Sequence, residues 1–143
     1  MRILVAYDGT EGAGDALRVA NRIAGAARGE LVICWVLDPR VDASDVVAAS
    51  TDEAMLEVER RSRAELAERL TELDVAADVR VERLDRGEDV AEHLGKVASE
   101  TGCELAVIAS RRASGLRGLL GSVAQELVRL SPVPVVVVRP GDR

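Results

Sequence analysis

Residues 3–10 read ILVAYDGT, and this short stretch decides the fold class. Residues 3–7 form an apolar run without polar alternation, which is typical of a β-strand covered on both faces. The run ends at Asp8, Gly9 and Thr10, residue types that favour turns and helix N-caps. Alanines and leucines then recur at helical spacing from about Glu11 to Arg28. The stretch therefore predicts a buried strand, a tight turn and a helix that packs on the sheet.

The same alternation of strand and helix continues to the end of the chain. Apolar runs at 31–37, 105–109 and 133–138 predict buried strands, and the alternating segment 79–84 predicts a strand at a sheet edge. Apolar residues recur at helical spacing after Ser50, Gly87 and Ser122, which predicts three further helices. The segments that begin at Ser50 and Ser122 resemble capping boxes, a signal for the start of a helix. Residues 40–49 show no clean period and predict a loop or the entrance to a helix. Neighbouring parallel strands need helical crossover connections. We therefore expect one α/β domain over residues 1–143. Its predicted architecture has three layers, with a doubly wound parallel sheet of five strands flanked by four helices.

Composition excludes several functional classes. The 143 residues carry a formal net charge of -6, which repels nucleic-acid backbones and anionic lipid. Tyr7 and Trp35 are the only aromatic residues, so there is little on which unpaired bases could stack. Apolar runs are too short to span a bilayer, and the N-terminus lacks a signal-peptide layout. We therefore expect a cytoplasmic protein with no nucleic-acid or membrane partner.

Residue types that often carry catalysis occur here without their usual companions. Cys34 and Cys103 lie in apolar stretches without a C-x-x-C motif, which predicts small buried residues. His93, the only histidine, lies beside the core stripe of its helix and is interpreted as a structural or surface residue. The serines show no nucleophile-elbow motif. We expect no catalytic residues.

In doubly wound sheets, ligands bind beyond the carboxyl ends of the strands. Segments 8–10, 36–39 and 110–122 are predicted to lie at that edge. The third segment, rich in glycine and arginine, runs into a helix N-terminus, whose amides and dipole favour an anion. Alternatively, its glycines only permit turns and Ser122 only caps the helix. Asp8 and Asp38 could hold Mg²⁺ beside a nucleotide, although strand-end aspartates more often cap turns.

The order and spacing of these segments resemble the universal stress protein family over nearly the whole chain. The matching segments are 3–10 with its alanine-rich helix, 31–39, Gly87, 104–111, 114–123 and 133–140. The resemblance implies strand order 3-2-1-4-5, a homodimer built through the last strand, and stress-linked expression. It also implies that ATP is a possible ligand, since some members of the family bind ATP and others do not.

Members that bind ATP resemble the pattern G-x-x-G, nine residues, then G-[ST]. Here Ala109 and Arg112 replace the two glycines, and only eight residues separate Arg112 from Gly121 and Ser122. An arginine in place of glycine alters how backbone amides approach phosphates. Asp8, expected at the nucleoside, and Val36, whose backbone is expected to face adenine, match their positions. The implied nucleotide site comprises Asp8, Gly9, Thr10, Val36, Ala109, Arg111, Arg112, Gly115, Gly118, Gly121, Ser122 and Val123, with Mg²⁺ as a possible companion of ATP.

The last predicted strand needs a partner. Its valines would be an aggregation hazard as a bare sheet edge, so antiparallel pairing with a second subunit is expected. The predicted interface comprises Val133, Val135, Val136, Val137 and Val138. Two functional hypotheses share this fold: a dimeric module that binds adenine nucleotide as a regulatory ligand, and a module without nucleotide that binds a protein partner. A slow ATPase ranks last, because no base near a γ-phosphate can be named.

Overall fold

The computed structural model describes residues 1–43, 50–110 and 121–139 and forms an α/β sandwich. Its strands are parallel and lie in the order β3-β2-β1-β4-β5, as the resemblance implied. None of the helices in the described ranges is long and apolar enough to cross a membrane. The elements in chain order are β1 (Arg2–Ala6), α1 (Glu11–Ala27), β2 (Glu30–Leu37), α2 (Pro39–Asp42), α3 (Thr51–Leu73), β3 (Asp78–Arg83), α4 (Val90–Glu100), β4 (Leu105–Ala109), α5 (Ser122–Leu130) and β5 (Val135–Val138).

Two hydrophobic clusters cover the two faces of the sheet. Successive side chains of a strand point to opposite faces, so Ile3 and Leu4 of β1 belong to different clusters. Ile3 packs in the cluster that contains Leu17 of α1 and residues of α3. Leu4 packs in the cluster that contains Leu94 of α4 and residues of α5. This double burial explains why the strand reads as a continuous apolar run, and it confirms the predicted three-layer fold.

The structure adds a fifth helix to the four that were predicted. Helix α2 is a single turn within the segment that showed no helical period. Asp38 is its N-cap and accepts a hydrogen bond from the Arg40 amide at 2.9 Å, while Pro39 occupies the first turn. A one-turn helix is too short to produce a periodic pattern, so capping and proline chemistry are its only sequence signals.

The last strand begins later than the apolar run predicted. Strand β5 starts at Val135, so Val133 lies outside it, contrary to the prediction of a strand over 133–138. The Ser131 hydroxyl donates to the Val133 carbonyl at 2.7 Å and accepts from the Val133 amide at 3.1 Å. This local turn uses the polar groups that a strand would pair with its neighbour, and Pro134 follows it. Val133 therefore belongs to the turn that leads into the edge strand.

Helix caps follow the predictions at two helices and depart from them at a third. Thr10 and Ser50 are the N-caps of α1 and α3, as predicted. For α5 the predicted cap, Ser122, is wrong: Gly121 is the N-cap, and no side chain of the described residues caps this helix. A capping side chain must come from the extended residue before the helix, whereas Ser122 is already its first helical residue. The first turn of α5 thus lacks an N-cap side chain.

Replacing Ser50 with Ala is expected to lower the free energy of unfolding by about 1 kcal/mol. The Ser50 hydroxyl accepts a hydrogen bond from the Glu53 amide at 3.1 Å, and Ser50 itself is exposed, so the change removes the cap without opening a cavity. Urea unfolding measures the loss. Ser50→Asp retains a capping oxygen and should keep the wild-type stability; an equal loss in both variants would contradict the capping role.

Candidate ligand cleft at the carboxyl edge of the sheet

A cleft of about 510 Å³ opens where β1, β2 and β4 end. Its floor comes from these strand ends, and its walls come from the first turns of α1, α4 and α5 and from α2. The residues that line it are Ala6, Tyr7, Asp8, Thr10, Glu11, Gly12, Ala13, Cys34, Trp35, Val36, Asp38, Val41, Asp42, Val90, Leu94, Ile108, Ala109, Ser110, Val123 and Ala124. The cleft therefore lies at the edge where the fold class predicts a ligand.

The turn after β1 fixes the side chain of Asp8 beside the start of α1. One carboxylate oxygen of Asp8 accepts from the Thr10 amide at 3.0 Å and from the Thr10 hydroxyl at 2.6 Å. The same hydroxyl accepts from the Ala13 amide at 3.2 Å. These bonds join the carboxylate to the helix cap, so Asp8 holds a defined position at the mouth of the cleft.

Gly9 has a structural role in this turn. Its φ of +81° is a left-handed conformation that side chains disfavour. A Cβ at Gly9 would also lie 2.9 Å from the Trp35 ring, which stacks edge-on against Tyr7 with ring centroids 5.2 Å apart. Glycine at this position lets the turn close over the aromatic pair.

The turn after β2 places two aspartates at the opposite wall. Asp38 binds Arg40, and their hydrogen bond lowers the pKa of the Asp38 carboxyl. Asp42 accepts from the Asp38 amide at 2.6 Å, while burial raises the pKa of the Asp42 carboxyl. Asp8 and Asp38 belong to no group of three potential metal ligands among the described residues. Their geometry favours the turn-capping interpretation over a built magnesium site.

The part of the lining that the structure describes is acidic. Its carboxylates are Asp8, Glu11, Asp38 and Asp42, and no described lining residue is basic. Among the described residues, the groups at the cleft that favour an anion are the amide-bearing N-termini of α1 and α5. The N-cap of α5 is Gly121, and Val123 and Ala124 in the first turn of that helix line the cleft.

The structure brings five of the predicted nucleotide-site residues to the cleft. They are Asp8, Thr10, Val36, Ala109 and Val123. Gly9 and Ser122 are next to lining residues in the chain, and Gly121 lies two residues before the lining residue Val123, but none of the three is itself among the lining residues. Four others, Arg111, Arg112, Gly115 and Gly118, lie outside the described residues.

Sequence reasoning missed part of the cleft wall. Val90 and Leu94 lie one turn apart on α4 and both line the cleft. Their helical spacing indicated a buried stripe, which is correct for Leu94, but the pattern could not show that the stripe reaches the strand ends. Asp42 was missed because it belongs to the short helix α2. Capping signals around Asp38 and Pro39 were the only indication of that wall.

The sequence also predicted the environments of the two cysteines and the histidine. Cys34 and Cys103 are both buried free thiols, as expected. His93 does not line the cleft and is buried between Glu82 and Glu88, which agrees with its structural interpretation. The raised pKa of the Cys34 thiol, about 12, results first from burial.

Comparison with known proteins places the chain in a family. The family model described as the universal stress protein family matches residues 1–139. A universal stress protein from Burkholderia pseudomallei is 30% identical, with a TM-score of 0.72 over 98% of this chain and 96% of that one. Two further structures show the same fold: universal stress protein UspA from Lactobacillus plantarum (20% identity, TM-score 0.70, 97% of both chains) and a universal stress protein in complex with cAMP (21% identity, TM-score 0.63, 99% of this chain and 98% of that chain). None of the curated proteins matches this sequence. On the family match over 1–139, the chain belongs to the universal stress protein family.

Proposed function

We propose that this chain is a homodimeric, non-catalytic stress-response module that binds an adenine nucleotide as a regulatory ligand. The observation that carries the proposal is the cleft itself. It lies at the carboxyl ends of β1, β2 and β4, and the first turns of α1 and α5 form part of its wall. Its volume of about 510 Å³ is in the range of small-molecule sites, which is roughly 300–1,000 Å³.

The lining separates into an apolar part and a polar part. Val36, Val90 and Leu94 offer aliphatic contacts that suit the faces of a purine ring. Asp8 offers a carboxylate that can accept hydrogen bonds from ribose hydroxyls. With the base and the ribose in these positions, we expect the nucleotide phosphate to lie near the N-termini of α1 and α5, where helix amides and dipoles favour negative charge.

The acidic lining restricts the form in which a nucleotide can bind. A triphosphate brings several negative charges close to Asp8, Glu11 and Asp38, and like charges repel. Mg²⁺ on the triphosphate would reduce that repulsion, and a cyclic monophosphate carries less charge at the outset. The related structure in complex with cAMP supports a cyclic nucleotide as a second ligand to test. We therefore expect binding of Mg²⁺-ATP or of a cyclic nucleotide rather than free ATP.

Dimerisation through β5 is the second part of the proposal. Strand β5 is the last strand of the sheet and pairs only with β4 among the described strands. The Pro134 and Val138 carbonyls accept from the Ala106 and Ser110 amides at 2.9 and 2.7 Å. Because the direction of backbone groups alternates along a strand, the amides of Val135 and Val137 point to the open edge. An antiparallel strand of a second subunit would pair with these amides and form a two-fold interface. We propose that this dimer is cytoplasmic.

Calorimetric titration tests the nucleotide proposal. Separate titrations use ATP with Mg²⁺, ATP with a chelator, and cAMP, and the supernatant of a denatured sample is chromatographed for nucleotide that co-purified. We expect micromolar binding of at least one of Mg²⁺-ATP and cAMP, with weaker binding of ATP under chelator. Absence of heat in every titration, together with no adenine nucleotide in the supernatant, would overturn the proposal.

A second candidate function keeps the fold and omits the nucleotide. Ala109 stands where ATP-binding members have a glycine, and the described lining is acidic, so both features favour a module that recruits a protein partner. Silence in the titrations would favour this alternative. A slow ATPase is the weakest candidate, and phosphate release measured on the same preparation separates it from binding alone.

A further inference from the structure

A second cluster of polar side chains lies between the sheet and α4. Cys34 of β2, Glu82 of β3 and His93 of α4 place their ligand atoms within 4.8 Å of one another. Strand register brings the first two together, because Cys34 pairs with Arg80 and Glu82 lies two residues further along the same face. Cys34 is fully buried and His93 is 6% exposed.

Two carboxylates hold the imidazole of His93. Its Nε2 lies 2.7 Å from Oε1 of Glu82, and its Nδ1 lies 2.7 Å from Oε1 of Glu88. The Asp85 amide donates to the same Glu88 oxygen at 3.2 Å, which fixes that carboxylate. A carboxylate on the outer ring nitrogen is the arrangement that orients histidine ligands in metal sites. Nε2 of His93 is thus the ring nitrogen on the side of Glu82 and the Cys34 thiol, and Glu88 orients the ring through Nδ1.

We propose that Cys34, Glu82 and His93 form a Zn²⁺ site, with Glu88 as the carboxylate that orients His93. Zinc binds cysteine sulfur, imidazole nitrogen and carboxylate oxygen, and three protein ligands leave one coordination position for water or another ligand. Cys34 is also one of the residues that line the ligand cleft, so the cluster borders that cleft. The site is separate from the proposed nucleotide contacts and does not depend on them.

The charges around the cluster are consistent with a divalent ion. Binding of Zn²⁺ would release the proton of the Cys34 thiol, because the thiolate is the form of cysteine that binds metal. Arg80 lies 3.5 Å from Oε2 of Glu82, which leaves Oε1 to the ion.

Metal titration of the chelator-stripped protein tests the proposal. We expect one Zn²⁺ per chain, and Co²⁺ in its place should give a thiolate-to-cobalt charge-transfer absorption. Glu88→Gln should weaken zinc binding by roughly 10–100-fold because it removes the orienting carboxylate while leaving the ligands. Cys34→Ser should abolish the cobalt absorption.

Cys103→Ser is the matched control, because Cys103 is also a buried free thiol and lies outside the cluster. It should retain the wild-type affinity and the cobalt absorption. Circular dichroism checks that each variant keeps the wild-type helix content, and Glu88→Gln carries the test if Cys34→Ser does not fold. Absence of stoichiometric zinc binding, or zinc binding that is unchanged in Glu88→Gln and in folded Cys34→Ser, would overturn the proposal and leave the cluster as a buried ion-pair network.

Discussion

Replacing Gly121 with Asp is expected to weaken nucleotide binding by about a hundredfold while leaving the protein at least as stable as the wild type. Gly121 is the N-cap of α5, and its φ of -63° is open to any residue. Aspartate is a better N-cap than glycine by a few tenths of a kcal/mol, and its charge suits the positive end of the helix dipole. Stability and binding should thus change in opposite directions.

The expected loss of affinity follows from charge repulsion at the proposed phosphate position. Two unit charges about 5 Å apart at an effective dielectric constant of about 20 repel by roughly 3 kcal/mol, which corresponds to about a hundredfold in affinity. The new carboxylate also competes with phosphate for the amides of the first turn of α5. Calorimetry on the variant measures the affinity, and urea unfolding measures the stability.

Gly25→Asp is the matched control, because it adds the same charge at an exposed glycine of α1 where a Cβ would meet nothing within 4 Å. This control should bind nucleotide as the wild type does. Wild-type affinity in Gly121→Asp would contradict the placement of phosphate at α5. Equal losses in the two variants would indicate a general effect of net charge.

Replacing Val137 with Pro is expected to convert the proposed dimer into monomers of 15.2 kDa. The Val137 amide points away from β4 to the open edge of β5, so proline removes a donor from the proposed subunit interface and leaves the β4 pairing in place. In a two-fold interface the loss occurs twice. We expect the dissociation constant of the dimer to rise by at least about a hundredfold. Light scattering coupled to size exclusion measures the mass.

Two control variants separate the interface from the sheet. Val137→Thr keeps the amide and a branched side chain, so it should remain dimeric. Val136→Pro removes the amide that faces β4 and should lower the unfolding free energy as well as dimerisation. A Val137→Pro protein that keeps the mass of a dimer would show that the subunits meet elsewhere.

Much of the fold follows from local patterns that tertiary structure did not alter. The apolar runs around Leu4 and Val107 predicted strands that are covered on both faces, and the side chains of Leu4 and Val107 are both fully buried. Thr10 and Ser50 predicted helix starts because N-capping depends on only a few neighbouring residues. Strand order came from the family resemblance, since periodicity alone specifies parallel strands without ordering them.

The features that the sequence did not reveal depend on short segments or on tertiary contacts. Helix α2 is one turn long and carries no period. Val133 read as the start of a strand, but a hydroxyl two residues earlier binds its backbone groups and delays the strand. Cys34, Glu82 and His93 come from three elements, so no sequence spacing marks their cluster. Only strand register and helix placement bring these side chains together.

The nucleotide site is tested most directly by NMR, which maps nucleotide contacts on isotope-labelled protein titrated with Mg²⁺-ATP and with cAMP. We expect saturable amide shifts at the carboxyl ends of β1, β2 and β4, including Asp8, Val36 and Ala109, and in the first turn of α5. We also expect unchanged amides at the amino ends of the strands, such as Arg2, Glu30 and Asp78, which lie at the opposite edge of the sheet and do not line the cleft. A spectrum unchanged by either nucleotide, or shifts confined to residues remote from the cleft, would contradict the claim that this edge of the sheet is a nucleotide site.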